Sequence, residues 1–183
     1  MFKLLKLTEA NSPTYLPVIF QWAADETEKE YHTCRPIREI DSYEVFKEKM
    51  TVGLSHGQIH YVLIDVEGNE VVGKISLFDY NPRNRSAEFG YYIPPFHRGK
   101  GVGSRLVQLF LEEVFHDQQL NLHKIYATTA ANNKPSIKLL ERFNFKFEGA
   151  YREHYWFSDG SVCDQYHYSL LKKELSLFRT SMP

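Results

Sequence analysis

Tyr91-Tyr92-Ile93-Pro94-Pro95-Phe96-His97-Arg98-Gly99-Lys100-Gly101-Val102-Gly103-Ser104 carries a strand-like run into a basic, glycine-alternating turn that opens a helix. Glycines at alternate positions leave backbone N–H groups bare and permit dihedrals that a side chain forbids, so several amides can converge on one anion. The helix that follows adds its unsatisfied N-terminal donors and the positive end of its dipole. Arg98 and Lys100 supply a bidentate guanidinium and a point-like ammonium for phosphate oxygens. Residues 98–104 therefore read as a pyrophosphate cradle, with a solvated basic turn as the competing reading of the loop taken alone.

Spacing excludes two common phosphate loops. A P-loop needs a glycine five residues before a Gly-Lys-Ser/Thr; no glycine stands in that register before Gly99-Lys100, and Gly101 follows where Ser or Thr is required. A dinucleotide fingerprint needs a third glycine three places after Gly103, where the chain has Leu106. What remains, Arg98-x-x-Gly101-x-Gly103 after a strand, resembles the acyl-CoA-binding loop of the GNAT superfamily of N-acetyltransferases. The resemblance extends over residues 58 to 171. Arg85-Ser86-Ala87-Glu88-Phe89-Gly90-Tyr91, Leu120-Asn121-Leu122-His123-Lys124-Ile125-Tyr126, and Asn133-Lys134-Pro135-Ser136 ahead of Leu139-Leu140-Glu141-Arg142-Phe143-Asn144-Phe145 are similar to segments of the ribosomal-protein N-terminal and the spermidine acetyltransferases.

The 183 residues suit a single domain over 1–183 with a substantial core. Twenty-two basic against twenty-three acidic residues give no electrostatic footprint for nucleic acid or an anionic membrane as a main partner. Cys34 and Cys163 form no CxxC or zinc spacing, which suits two unpaired thiols in a reducing compartment. The N-terminal run Met1 to Leu7 alternates like a strand rather than a signal peptide, and no segment approaches the ~18 apolar residues of a membrane span. A cytoplasmic location is the expectation. The eight histidines lack HExxH spacing, and His97, His116, His123, His154 and His167 fall in unrelated segments, so no metal is expected.

Periodicity predicts strands over 2–7, 59–66, 71–80, 86–93, 124–130, 145–157 and 162–171. Helices are predicted from Ser12 to Ala24 with interruptions at Pro13 and Pro17, from Ser42 or Asp41 past Met50, after the glycine loop on Val102, Leu106, Phe110 and Val114, and from Asn133 or Ser136 to Phe143. Residues 24 to 41 read as loop, and the tail from Ser176 to Pro183 as loosely ordered. The order β, α, α, β, β, β, α, β, α, β, β, with antiparallel hairpins around one βαβ crossover, predicts an α/β fold whose mixed, mostly antiparallel sheet is flanked by helices. The resemblance adds that this sheet splays between the strand before the loop and residues 124–130 to admit acetyl-CoA as co-substrate.

Acetyl transfer from a thioester requires a neutral amine, because an ammonium has no lone pair. Glu88, on the strand entering the cradle and on the same face as Tyr92, is the carboxylate best placed to take that proton; pairing with Arg83 or Arg85 at a sheet edge is the structural alternative. The resemblance implies that backbone groups of Tyr91, Tyr92 and Ile93 bind pantetheine as an added strand would. It also implies that residues Arg98, Gly99, Lys100, Gly101, Val102, Gly103 and Ser104 hold the phosphates. Asn133 and Ser136 match an element that contacts the CoA arm, although either can simply cap its helix. Many relatives place a tyrosine acid where this chain has Leu140, which leaves Ser136, a water or no acid to serve the leaving thiolate. Tyr126, Tyr151 and Tyr155 are spare candidates. The acidic stretch Asp25 to Glu30 is either a solvated face or a lining for a cationic acceptor. The acceptor is an amine, a protein N-terminus or a small molecule such as a polyamine; a homodimer is compatible with the family, and a non-catalytic acyl-CoA sensor is the rival function.

Overall fold

The computed structural model describes residues 1–24, 30, 33 and 42–178. Their elements are β1 (Phe2–Lys6), α1 (Ser12–Ala24), α2 (Tyr43–Ser55), β2 (Ile59–Asp65), β3 (Glu70–Asn81), β4 (Ser86–Tyr92), α3 (Val102–His116), β5 (Lys124–Ala130), α4 (Lys134–Arg142), β6 (Lys146–Trp156) and β7 (Val162–Leu171). Short 3-10 turns occupy Pro95–His97 and Lys172–Phe178. The order is the one the sequence predicts.

One expectation fails at α1, which runs unbroken through Pro17. Pro13 sits in the first turn, where a backbone donor has no partner in any case. Pro17 forfeits a bond inside the helix, at a cost of roughly 3 kcal/mol, and burial of Leu16 and Ile19 against Leu7 and Val62 offsets it. At α2 the cap is Ser42, whose hydroxyl accepts from the Val45 N–H at 3.3 Å; Asp41, the other candidate cap, lies outside the described residues. So do Cys34 and the tail beyond Phe178, whereas Cys163 carries a free thiol. No helix among the described residues is long and apolar enough to cross a membrane.

The seven strands form one sheet in the order β1-β2-β3-β4-β5-β7-β6. Every neighbouring pair is antiparallel except β4 and β5. Those two share only Ser86↔Lys124, Ala87↔Ile125 and Glu88↔Tyr126. Beyond Glu88 and Tyr126 they part, while β4 continues to Tyr92 against β3 and β5 continues to Ala130 against β7. The expected splay is present, and it begins at Glu88.

Side-chain alternation along the strands sorts the two faces. Tyr61, Leu63, Ile75, Phe89 and Ile125 pack beneath α3, which buries Val102, Leu106, Val107, Phe110, Leu111, Val114 and Phe115. The positions between them, including Val62, Lys74, Ser76, Glu88 and Tyr92, lie on the face covered by α1 and α2, where Val62 meets Leu16 and Ile19 and Tyr92 meets Trp22.

Candidate active site

The parting of β4 and β5 opens a cleft of about 1480 Å³. At one end stands the glycine loop. Gly99 and Gly101 adopt φ of +73° and +79°, and a Cβ built on either meets nothing within 4 Å, so conformation and not packing demands glycine there. Gly101 is the N-cap of α3, and no side chain caps that helix. Its first-turn N–H groups therefore remain available beside the cleft lining of Gly101, Gly103 and Ser104. Gly103 has ordinary backbone angles, and its Cβ would sit 3.5 Å from Leu139 Cδ2, a normal contact.

Charge reaches this end from two guanidiniums. Arg98 donates through Nε to the Ile93 carbonyl at 2.9 Å, which fixes its stem against the end of β4. Arg142, from the last turn of α4, donates to Ser104 Oγ at 3.3 Å and also lines the cleft. Thirty-eight residues separate Arg142 from Ser104, so no local sequence signal announces it. Lys100 lies elsewhere: its ammonium stands 4.1 Å from the centroid of the exposed Phe96 ring, and the residue does not line the cleft. A ring face attracts a surface cation at little cost in hydration. Val102, the first residue of α3, turns its side chain into the core and does not line the cleft. An uncapped helix start, two left-handed glycines opening onto free space and two arginines fit a pyrophosphate.

At the apex of the parting strands stands Glu88. It belongs to the last cross-strand pair of β4 and β5, and Thr128 Oγ1 donates to its Oε1 at 2.7 Å. Because β4 runs between β3 and β5, this carboxylate occupies the middle of the sheet and not the edge that the structural alternative supposed. Tyr91 alternates to the opposite face, stacks on Phe89 and lines the cleft together with Ser136, whose side chain is close enough to act on its phenol. Burial raises the phenol above its usual range, with Ser136 and Arg98 countering, so the proton stays on the oxygen at neutral pH. Asn133 realises its capping role: its Oδ1 accepts from the Ser136 N–H at 3.3 Å. Both residues line the cleft as well.

A family model described as the acetyltransferase (GNAT) family matches residues 16–145. The chain belongs to the GNAT acetyltransferase family. It is 32% identical over 158 residues to the uncharacterized N-acetyltransferase p20 of Bacillus licheniformis, covering 86% of this chain and 87% of that protein. It is 34% identical over 113 residues to the spermidine N(1)-acetyltransferase of Vibrio cholerae, covering 60% and 64% of the two chains. The crystal structure of Vibrio cholerae spermidine N-acetyltransferase with CoA and spermine superposes with a TM-score of 0.82 at 26% identity, over 96% of this chain and 98% of that one. This GNAT member is thus an N-acetyltransferase with acetyl-CoA as donor.

Against the pattern of many GNAT enzymes, Leu140 is confirmed as a core residue, 1% exposed. Of the spare tyrosines, Tyr126 stacks on His167, Tyr151 lies exposed on β6, and buried Tyr155 lines the cleft. The sequence reading gave Tyr91 only a backbone role and missed its hydroxyl. It also missed Thr128, and it missed the polar phase of β2 and β3, where His60, Lys74 and Ser76 alternate toward the cleft on the face of Glu88. His60 pairs through Nδ1 with Ser76 Oγ at 2.6 Å and through Nε2 with Gln58 Oε1 at 3.3 Å. Burial, then the charge of Lys74, pulls the imidazole down to about 4, so the ring is neutral. Burial likewise draws Lys74 down to about 8. In the acidic stretch, Glu30 does not line the cleft; its carboxylate accepts from the N–H and hydroxyl of Ser158 in the β6–β7 turn at 2.6 and 3.2 Å. Asp25 to Lys29 lie outside the described residues. Among the described residues there is no group of three or more side chains that could hold a metal ion.

Proposed function

We propose that this enzyme passes the acetyl group directly to a small primary amine, with Glu88 receiving the amine proton and the Tyr91–Ser136 pair supplying a proton to the leaving sulfur. The observation that carries the reading is the position of Glu88 at the closed apex of a cleft whose far end is the phosphate cradle. Acetyl-CoA supplies the activated acyl group as a thioester when bound. Arg98, Arg142 and the start of α3 hold its phosphates, and the unpaired edge of β4 from Tyr91 to Ile93 aligns its amide-bearing arm. Thr128 donates to Oε1 of Glu88 and so orients the carboxylate that meets an incoming amine. Tyr91 brings from β4 the phenol that Leu140 cannot bring from α4, with Ser136 beside it in the cleft. Likeness to spermidine acetyltransferases supports a small-amine acceptor. The unpaired thiol of Cys163 is in keeping with a cytoplasmic enzyme.

The test is incubation with acetyl-CoA and a pooled panel of amines and N-terminal peptides, with products read by mass, for the natural chain and Glu88→Gln. The natural chain should acetylate a small amine. The variant should lose roughly 10²- to 10⁴-fold in turnover, the usual worth of a positioned base, while CoA affinity holds. CoA binding without any acetylated product would overturn the reading in favour of a sensor.

A further inference from the structure

The face of the sheet that carries Glu88 holds an aromatic wall that proton transfer does not use. Register pairs Phe78 on β3 with Glu88 on β4, so the ring rises beside the carboxylate on the same face. There it leans over Gly90: a Cβ built on Gly90 would stand 2.9 Å from Phe78 Cε2, closer than a real side chain tolerates. Glycine at position 90 is what lets the ring lie across β4 next to the base. Phe78 and Gly90 both line the cleft, and Phe78 remains 37% exposed. Trp22 from α1, Phe46 and Met50 from α2, and Tyr92 farther along β4 continue the apolar lining. The neutral polar groups of this face, His60 and Ser76, are hydrogen-bonded to each other at 2.6 Å, so an apolar neighbour leaves neither without a partner. Among the described residues the carboxylates lining the cleft are Glu88 and Asp79. Asp79 directly follows Phe78, the register partner of Glu88, so both acids stand at the apex. Lys74, opposite Tyr92 toward the glycine loop, carries the same sign as an amine. Acid gathered at one end of an apolar wall fits a ligand with one cationic end and a hydrocarbon remainder.

We propose that the acceptor is a primary amine borne on an apolar body, an alkylamine or an arylalkylamine, and that Phe78 is the residue that selects it. The inference rests on the acetyl-transfer reading above and names the class of amine within it. The amine meets Glu88, and its hydrocarbon part lies on the ring that Gly90 admits. A diamine or polyamine laid the same way sets its second ammonium against the apolar wall, where its lost hydration is unanswered, or toward Lys74, a like charge. Phe78 on β3, and Phe46 and Met50 over β2, stand across β4 from the gap that β4 shares with β5. The arm of acetyl-CoA follows that gap from the α3 start, so the wall faces the acceptor.

The experiment compares hexylamine and 2-phenylethylamine with 1,6-diaminohexane, spermidine and 6-aminohexanoate as acceptors, for the natural chain, Phe78→Ala, Phe78→Leu and Gly90→Ala. In the natural chain a monoamine should exceed the doubly charged acceptors in kcat/KM by roughly tenfold or more, the effect of leaving one further charge without a partner. Phe78→Ala should lower kcat/KM for the monoamine roughly tenfold and change that for 1,6-diaminohexane little. Gly90→Ala, which displaces the ring without removing it, should do the same, whereas Phe78→Leu, which keeps an apolar wall, should stay within about threefold of the natural chain. KM for acetyl-CoA and the affinity for CoA should hold in all three variants, which also shows that they are folded. Equal or better use of 1,6-diaminohexane, spermidine or 6-aminohexanoate by the natural chain overturns the inference and leaves acetyl transfer standing. An unchanged preference among acceptors in Phe78→Ala overturns it too, since a ring that merely supports Glu88 affects every amine alike. A raised KM for acetyl-CoA in that variant assigns the ring to the donor and does the same. CoA binding with no amine acetylated overturns both readings together.

Discussion

Replacing Lys74 with methionine should stabilise the ligand-free protein, and the gain should fade in alkali. The drop from the ordinary 10.5 to about 8 is equivalent to about 3 kcal/mol of penalty on the charged form, taking about 1.36 kcal/mol per pH decade. Lys74 is half-buried and water reaches it through the cleft, so a realised gain of about 1–2 kcal/mol is expected after that screening. The folded state holds this proton less tightly than the unfolded chain. The penalty is therefore complete below pH 8, shrinks as pH climbs, and is gone above 10.5, where the side chain is neutral in both states. Methionine has nearly the same length and no charge, so packing contributes a difference that does not move with pH. Urea unfolding of both proteins at pH 7, 9 and 10.5 isolates the charge contribution; in a thermal scan it amounts to a rise of about 2–8 °C at pH 7 for a chain of this size. A variant that is no more stable at pH 7, or whose advantage persists undiminished at pH 10.5, would refute the argument from a desolvated ammonium.

Gly101→Val forces a branched residue into the left-handed region, at roughly 1–2 kcal/mol, and fills the space beside the α3 start; calorimetric titration should show CoA affinity reduced at least about tenfold, whereas Gly103→Ala should fold normally because its new methyl makes only an ordinary contact with Leu139. Tyr91→Phe should cut turnover more than it changes KM for acetyl-CoA, with the loss steepest for poor leaving thiols; equal loss for CoA and for an acidic thiol analogue would remove the phenol from proton donation. Tyr61 buries a hydroxyl that has no partner among the described residues, so Tyr61→Phe should raise stability by about 1 kcal/mol, measurable by chemical denaturation. Since burial also holds the phenol of Tyr61 well above its usual range, the natural chain should show that tyrosine resisting ionisation in a spectrophotometric titration until the fold opens.

The parts of this molecule legible in its sequence are those written in short-range periodicity. The strands and helices set out above for the described residues follow from alternation, helical spacing and turn residues, and the α3 start follows from Arg98 to Ser104. Pro17 misled because propensity is local, while Leu16 and Ile19 find their partners on another element. Glu88 was visible as a carboxylate on the right strand. That it stands at the apex was not, since the apex exists only where β5, nearly forty residues later, pairs with it. Arg142 at Ser104, Thr128 at Glu88 and Ser136 at Tyr91 are all contacts between distant elements, and nothing at either end of such a contact marks it in the chain. Lys74 was within reach: Lys74 and Ser76 break the apolar run of β3 at alternate positions, which is the pattern of a strand showing one polar face to a cavity.

A sheet that parts along its middle has four unpaired strand edges instead of two, and bare edges invite other chains to pair with them. The outer edge at β6 is defended by irregularity: its register shifts twice, Gly149 and Glu153 take positive φ, and Lys146, Glu148 and Arg152 place charge along it. The inner edges of β4 and β5 carry no such devices and need none. They converge on Glu88 and Tyr126, so a strand from a second molecule would have to thread a closed angle to reach them. A slender, flexible arm meets no such obstacle, and the wedge that receives substrate is for that reason a form of protection against aggregation.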